Sequence, residues 1–219
     1  MLKIKLNKAV LKNHIQYDLW KYIVGILVTA LLWSMIVSAT APRTPADKKV
    51  DIYIVGGFMF DETAVELEQR ILDDFPELME VNIISIMLGG EWDHVGRQRY
   101  ATMLYSNSGD IFILDTEEFE ALAKEGALLP LDNQESIKSY MTQEQIVDGT
   151  TTTYEDDRQK LYGVPLFDSK LFYDMYDISD SVMGVMVYSG NIPYALEVAE
   201  WILEKSEQVE DEQVNGDQD

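Results

Sequence analysis

The sequence predicts an α/β fold with a mostly parallel sheet, preceded by one transmembrane helix. Three observations carry that expectation. Short apolar runs rich in β-branched residues alternate with amphipathic stretches: "VDIYIVGG", "DETAVELEQRILDDF", "EVNIISIML", "VGRQRYATMLYSNSG", "DIFILD" and "TEEFEALAKEGALLPLD" follow one another. Strands interleaved with helices through short connections are the pattern of βα units and a parallel sheet. Residues 22–41 contain no charged side chain, and about 20 apolar residues in a helix span the hydrocarbon core of a bilayer. Of 219 residues 47% are hydrophobic, enough for one packed domain beside such a helix.

The apolar run is preceded by Trp20 and includes Tyr22, placed as an interfacial aromatic belt would be. Residues 1–21 carry five lysines, whereas only Arg43, Lys48 and Lys49 follow closely. The positive-inside bias therefore puts the N-terminus in the cytoplasm and the rest outside, as a single-pass protein of the cell membrane. Ala39-Thr40-Ala41 also fits a small-x-small cleavage site. A cleavable signal has an apolar region of about 7–15 residues, shorter than this one. An uncleaved anchor is the reading and cleavage the alternative; both leave residues 43–219 outside. The leading segment "KIKLNKAVLKNHIQYDLWK" reads as a topology signal, with a basic amphipathic helix on the anionic inner leaflet as the alternative. The expected organisation is a basic cytoplasmic segment at 1–21, the transmembrane helix at 22–41, a linker with Pro42 and Pro45 at 42–49, the α/β domain at 50–205, and an acidic disordered tail at 206–219.

Within the domain, "VDIYIVGG" is a buried strand ending in a glycine turn. Val65, Leu67, Ile71, Leu72 and Phe75 form the apolar stripe of the first helix, which Pro76 stops. "EVNIISIML" is the second strand, closed by Gly89-Gly90, and "DIFILD" the third. The next helix runs from Thr116 through Lys124 and stops at Gly126. "QEQIVDGTTTTYEDDRQKLYGVPLF" has a polar middle that fits a hairpin-like excursion, and "LYGVPLF" fits a strand end or crossing segment. "VMGVMVYSG" is a further strand. The last helix, "NIPYALEVAEWILEKSE", places Ala195, Leu196, Val198, Ala199, Ile202 and Leu203 on its core face, with Pro193 in the first turn.

Several functions are excluded. The net charge is -22, and the first 21 residues hold a surplus of four positive charges, which leaves -26 for the remainder. A chain so acidic does not suit nucleic acid as a partner. There is no cysteine, hence no disulfide framework, thiolate zinc site or lipidated anchor. The only histidines, His14 and His94, fall on opposite sides of the expected membrane, so they share neither a metal nor a triad. No G-x-G-x-x-G, P-loop or calcium-loop pattern occurs, and Glu117-Glu118 and Asp156-Asp157 read as solvated charge. The sequence therefore predicts no cofactor, no metal and no enzymatic activity.

The order of segments resembles the extracellular solute-binding proteins of ABC importers, carbohydrate type. The resemblance rests on "KKVDIYIVGG", "FPE" and "VNIISI", then "ATMLYSNSGDIFILDTEEFEALAKEGALLPLD", "KLYGVPLF" and "MGVMVYSGNIPYALEVAEWILEK". It covers roughly residues 48–205 and lies in the order of blocks, not in any single motif. In that family a second α/β lobe lies between the crossing segment and the late strand. Here only "DSKLFYDMYDISDSV" separates Phe167 from Met183. The resemblance thus implies a periplasmic-binding-protein-like single lobe, held to the bilayer by its helix. It implies a membrane-anchored extracytoplasmic solute-binding-like protein, a component or accessory of an ABC-type transport system. Its expected partners are the lipid bilayer, a transporter permease or other membrane protein, and a small solute such as a sugar. The alternative is a membrane-tethered interaction module that has kept the lobe and lost the ligand.

In open α/β sheets ligands sit beyond the carboxyl ends of the strands. The ligand-binding candidates are therefore Phe58, Glu91, Trp92, Asp93 and Asp115, with Phe167 in the crossing segment. An aromatic face beside carboxylates suits a sugar ring and its hydroxyls, and Glu91-Trp92-Asp93 is the best such cluster. Packing over the sheet edge is the competing role for Trp92, and capping of the next helix the competing role for Asp115.

Overall fold

The computed structural model describes residues 8–40, 43–90, 93–166 and 181–216, with side chains for all of these except 8–18, 39 and 207–216. The chain divides into two compact units, residues 1–43 and 44–219.

The first unit is helix α1 (Lys8–Thr40). It begins well before the predicted start at residue 22. Within it, Leu19–Ser38 is long and apolar enough to cross a membrane, with a mean hydropathy of 1.8. The hydroxyls of Thr29 and Thr40 donate to Gly25 O (2.8 Å) and Ile36 O (2.7 Å) inside the helix. Such internal pairing is what a hydrocarbon environment requires of a hydroxyl.

The second unit is built from β1 (Lys49–Val55), α2 (Asp61–Asp74), β2 (Glu80–Ile86), α3 (Asp93–Tyr105), β3 (Ile111–Asp115), α4 (Thr116–Lys124), α5 (Glu135–Ser139), α6 (Gln143–Asp148), β4 (Thr150–Thr151), β5 (Lys160–Leu161), β6 (Val164–Pro165), β7 (Ser181–Val185) and α7 (Ile192–Gly216). The central sheet has the order β2-β1-β3-β7-β6. β1 pairs parallel with β2 and β3, whereas β7 is antiparallel to both β3 and β6. β1, β2, β3 and β6 therefore share one direction and only β7 opposes them. The mostly parallel sheet expected from the sequence is present.

Alternation along the strands builds two apolar layers. Val50, Ile52 and Ile54 of β1 face a core shared with α2 and α7, while Tyr53 and Val55 face the core under α3 and α4. Burial on both faces is why the strand reads as an unbroken apolar run. On α2 the buried stripe is Ala64, Leu67 and Ile71, with Leu72 and Phe75 at its margin. Val65, placed in that stripe by the sequence reading, is 60% exposed. It lies about 100° around the helix from Ala64, off the core face. On α7 the predicted core residues are buried except Leu196, which packs at the edge. Trp201 adds a contact the pattern missed: its indole N–H donates to Asp74 at 2.6 Å and ties α7 to the end of α2. The helix does not stop near residue 205 but runs to Gly216. No proline or glycine interrupts residues 194–215, and their glutamates and glutamines are good helix formers.

The segment expected as a linker joins the second unit from Thr44 onward. The Thr44 hydroxyl donates to Glu80, and Lys49 lies 3.1 Å from Asp51 and 3.4 Å from Glu80. The polar excursion is also present. α6 opens with a reciprocal cap between Thr142 and Gln145, and β4 and β5 form a two-residue antiparallel ladder. Asp156 holds that excursion through Arg158 (2.8 Å) and Lys160 (3.0 Å), which draws its carboxyl below the usual carboxylate range.

The chain leaves the sheet at β6 and returns at β7, and Leu166 N–H donates to Ser181 O across the gap at 2.9 Å. Replacing residues 168–179 with an Asn-Gly turn is expected to leave the unfolding midpoint within a few degrees or to raise it. Shortening a loop lowers its closure cost by about 0.6 kcal/mol per halving. Thermal unfolding followed by circular dichroism checks this; loss of a cooperative transition would show that the intervening segment carries core structure.

Candidate functional site

The sheet changes winding direction between β1 and β3. β1 leads through α2 to β2 on one side, and β2 leads back through α3 to β3 on the other. The crevice at such a switch point is where open α/β sheets take ligands. Gly56 and Asp115 meet there. Gly56 has φ +93°, and a Cβ built on it would lie 3.9 Å from Asp115 Oδ2.

The acids at this edge are held by the protein itself. Asp115 Oδ1 accepts from Glu118 N–H at 2.8 Å and caps α4, the role that competed with ligand binding in the sequence. Asp93 Oδ1 accepts from Gly89 N–H at 2.7 Å, and its other oxygen accepts from Arg97 at 3.0 Å. Arg97 also reaches Glu118 at 3.3 Å, so α3 and α4 are bridged across the edge. The Gly89 amide, with Arg97 beside it, holds the Asp93 carboxyl below its ordinary range. The folded value is depressed, so this bond's contribution is present above the ordinary carboxylate pKa of about 3.9 and is lost as pH falls through the folded value. The Gly89 amide resonance is expected to titrate with a midpoint below about 3.9. That titration should vanish in Asp93→Asn; a midpoint at or above the ordinary value would show that the carboxylate does not hold the loop.

Phe58 is 48% exposed and packs edge-on against Phe60, with ring centroids 5.0 Å apart. Glu91, Trp92 and Phe167 lie outside the described residues. Of the six sequence candidates three are described: Phe58 is on a surface, Asp93 holds the Gly89 amide and Asp115 caps α4.

The concavity at this edge lies elsewhere, as a groove of about 470 Å³ along β2 between α2 and α3. Its floor is Ile83–Met87, with Phe58, Met59, Asp61 and Ala64 on the α2 side and Val95, Gly96 and Arg99 on the α3 side. Phe58, Met87 and Val95 are each about half exposed, and Phe60 beside Phe58 is 68% exposed. Gly96 permits this geometry: a Cβ there would stand 1.9 Å from Met87 O.

Phe60, Met87, Val95 and Arg99 were missed by the sequence reading. For Phe60 a signal existed. It occupies the N-cap of α2 and makes no side-chain cap bond, where Ser, Thr, Asp or Asn is the stabilising choice by about 1 kcal/mol. An exposed aromatic at a position that favours a small polar residue points to use of the surface.

No protein-family model and no curated protein matches the chain. Among solved structures it is similar to extracellular solute-binding proteins of ABC importers. An extracellular solute-binding protein family 1 member from Alicyclobacillus acidocaldarius is 22% identical, with a TM-score of 0.41, covering 53% of this chain and 27% of that one. The ABC substrate-binding protein Lmo0181 from Listeria monocytogenes, in complex with cycloalternan, is 17% identical, with a TM-score of 0.39 and coverage of 52% and 28%. Maltose-bound T. maritima MalE3 is 18% identical, with a TM-score of 0.39 and coverage of 54% and 28%. The matched region spans about a quarter of the length of these proteins.

Proposed function

We propose that this chain is a membrane-anchored, extracytoplasmic, solute-binding-like protein that serves an ABC-type carbohydrate transport system as a docking component. In this reading α1 crosses the membrane with the N-terminus in the cytoplasm. The α/β unit works outside, without catalysis, against a permease or another membrane protein. The observation that carries the reading is the character of the strand-end surface. Asp93 and Asp115 are engaged by the backbone amides of Gly89 and Glu118, while Phe58, Met87 and Val95, which line the groove, are each about half exposed and Phe60 beside Phe58 is more so. A solute site needs converging free polar groups and burial of about 70–90% of the ligand, which one lobe does not readily supply. A contiguous apolar lip suits a protein.

The test is a photo-crosslinking residue at Phe60 in the full chain in its own membrane, with a second at Tyr154, which is 79% exposed on the β4–β5 excursion. The expected result is one discrete adduct from position 60 with a membrane transport component and none from 154. No adduct from position 60 would remove the docking role. A second reading, retained solute binding, is favoured by the groove itself, where Phe58 lies with Asp61, Ser85 and Arg99.

A further inference from the structure

We propose that the partner engages the groove as an added β-strand, pairing an extended segment with the open edge of β2; this rests on the docking reading above. Gly56 N–H donates to Ile86 O, so the peptide groups of residues 82, 84 and 86 face β1. The N–H groups of Ile83, Ser85 and Met87 consequently turn outward, to the edge of the sheet, while Met87 O packs against Gly96 of α3 and the Ser85 hydroxyl accepts from Met59 N–H. Ile83 N–H is already taken by Glu68 Oε1 at 2.7 Å. Ser85 and Met87 N–H have no hydrogen-bond partner among the described residues.

Natural sheets guard their edges with proline, charge or very short strands. The other edge here obeys that rule: β6 is two residues long and ends in Pro165. The amino-terminal half of β2 obeys it too, through Glu68. The half that lines the groove does not. It has no proline and no lysine, and it is flanked by the exposed Phe58, Met87 and Val95. An edge left open only where apolar walls rise on both sides is built to receive a strand.

Charge selects the occupant. With -26 on the chain beyond residue 21, a second copy of this domain is repelled. The α2 wall presents Asp61, and the α3 wall presents Arg99, whose guanidinium has no ion-pair partner among the described residues. Successive residues of an added strand point to opposite faces of the sheet. The segment that fits is extended and apolar, with a basic residue towards Asp61 and an acidic residue next to it in sequence towards Arg99.

The experiment is selection of a displayed random decapeptide library on the full chain in nanodiscs, followed by amide exchange with the selected peptides. Enriched peptides are expected to alternate apolar residues with an adjacent basic–acidic pair. They should slow exchange at Ser85 and Met87 by about tenfold or more, and lose binding when N-methylated at alternate residues. Arg99→Glu should shift the selected acidic position to basic. Failure to enrich any peptide over the Met87→Lys chain, or enrichment of peptides that leave Ser85 and Met87 exchange unchanged, overturns strand addition. If the Phe60 adduct persists in either case, only strand addition is lost; if it too is absent, the docking role falls with it.

Discussion

Phe112→Ala is expected to destabilise the α/β unit by about 3–5 kcal/mol, the cost of deleting a fully buried aromatic and leaving a cavity. Phe112 is 0% exposed at the centre of β3. Its ring lies 5.2 Å from Tyr53 and 6.3 Å from Tyr100, so it joins the sheet to α3. Close by, a Cβ on Gly109 would come within 2.6 Å of both the Phe112 and the Tyr53 ring, which shows how little space surrounds this pair. For a domain of this size each kcal/mol moves the midpoint by about 2–4 °C, so a fall of about 10 °C is expected. A fall of only two or three degrees would mean that the layer under α3 and α4 is not a packed core.

Gly96→Val is expected to cost about 3 kcal/mol and to close the groove. The new Cβ meets a backbone carbonyl at 1.9 Å, and the nearest side chain, Leu88, at 3.2 Å. A carbonyl held in β2's continuation cannot swing aside as a side-chain end can, so α3 must shift outward. The effect separates from ordinary helix propensity. Gly→Ala at an exposed helical position normally stabilises by up to about 1 kcal/mol, whereas Gly96→Ala should already destabilise. Urea unfolding of the full chain in micelles measures both. A neutral or stabilising Gly96→Ala would show that α3 does not approach Met87 as closely as described.

Much of the fold was legible because its elements announce themselves by period. Runs such as "VDIYIV" and "DIFIL" are apolar throughout because both faces of the strands are covered. The antiparallel placement of β7 was not legible, since an apolar run carries no direction. Val65 was misplaced by one helical position and Leu196 lies at the margin of its core, because the stripe's edge is set by packing and not by hydrophobicity. α5 was missed because five residues are too few to show a period. The end of α7 was missed because acidic composition was read as disorder, although the same residues favour helix.

The site was less legible than the fold. Counting carboxylates at strand ends singled out Asp93 and Asp115 but did not show their duties. Asp115 and Asp93 face backbone amides of Glu118 and Gly89, and a sequence does not show which amides lack partners. The groove depends on β2 being at the sheet's edge, a fact of strand order and not of local sequence. Phe60 is the exception, legible as an apolar residue at a helix start.

The measurement that tests the account most directly is thermal unfolding of the full chain in micelles with millimolar mono- and oligosaccharides. A ligand at a hundred times its dissociation constant adds about 2.7 kcal/mol to stability, an easily resolved shift. The docking account predicts no shift with any saccharide. A shift with one saccharide class that disappears in Phe58→Ala would contradict it and make the chain a solute receptor working with a single lobe.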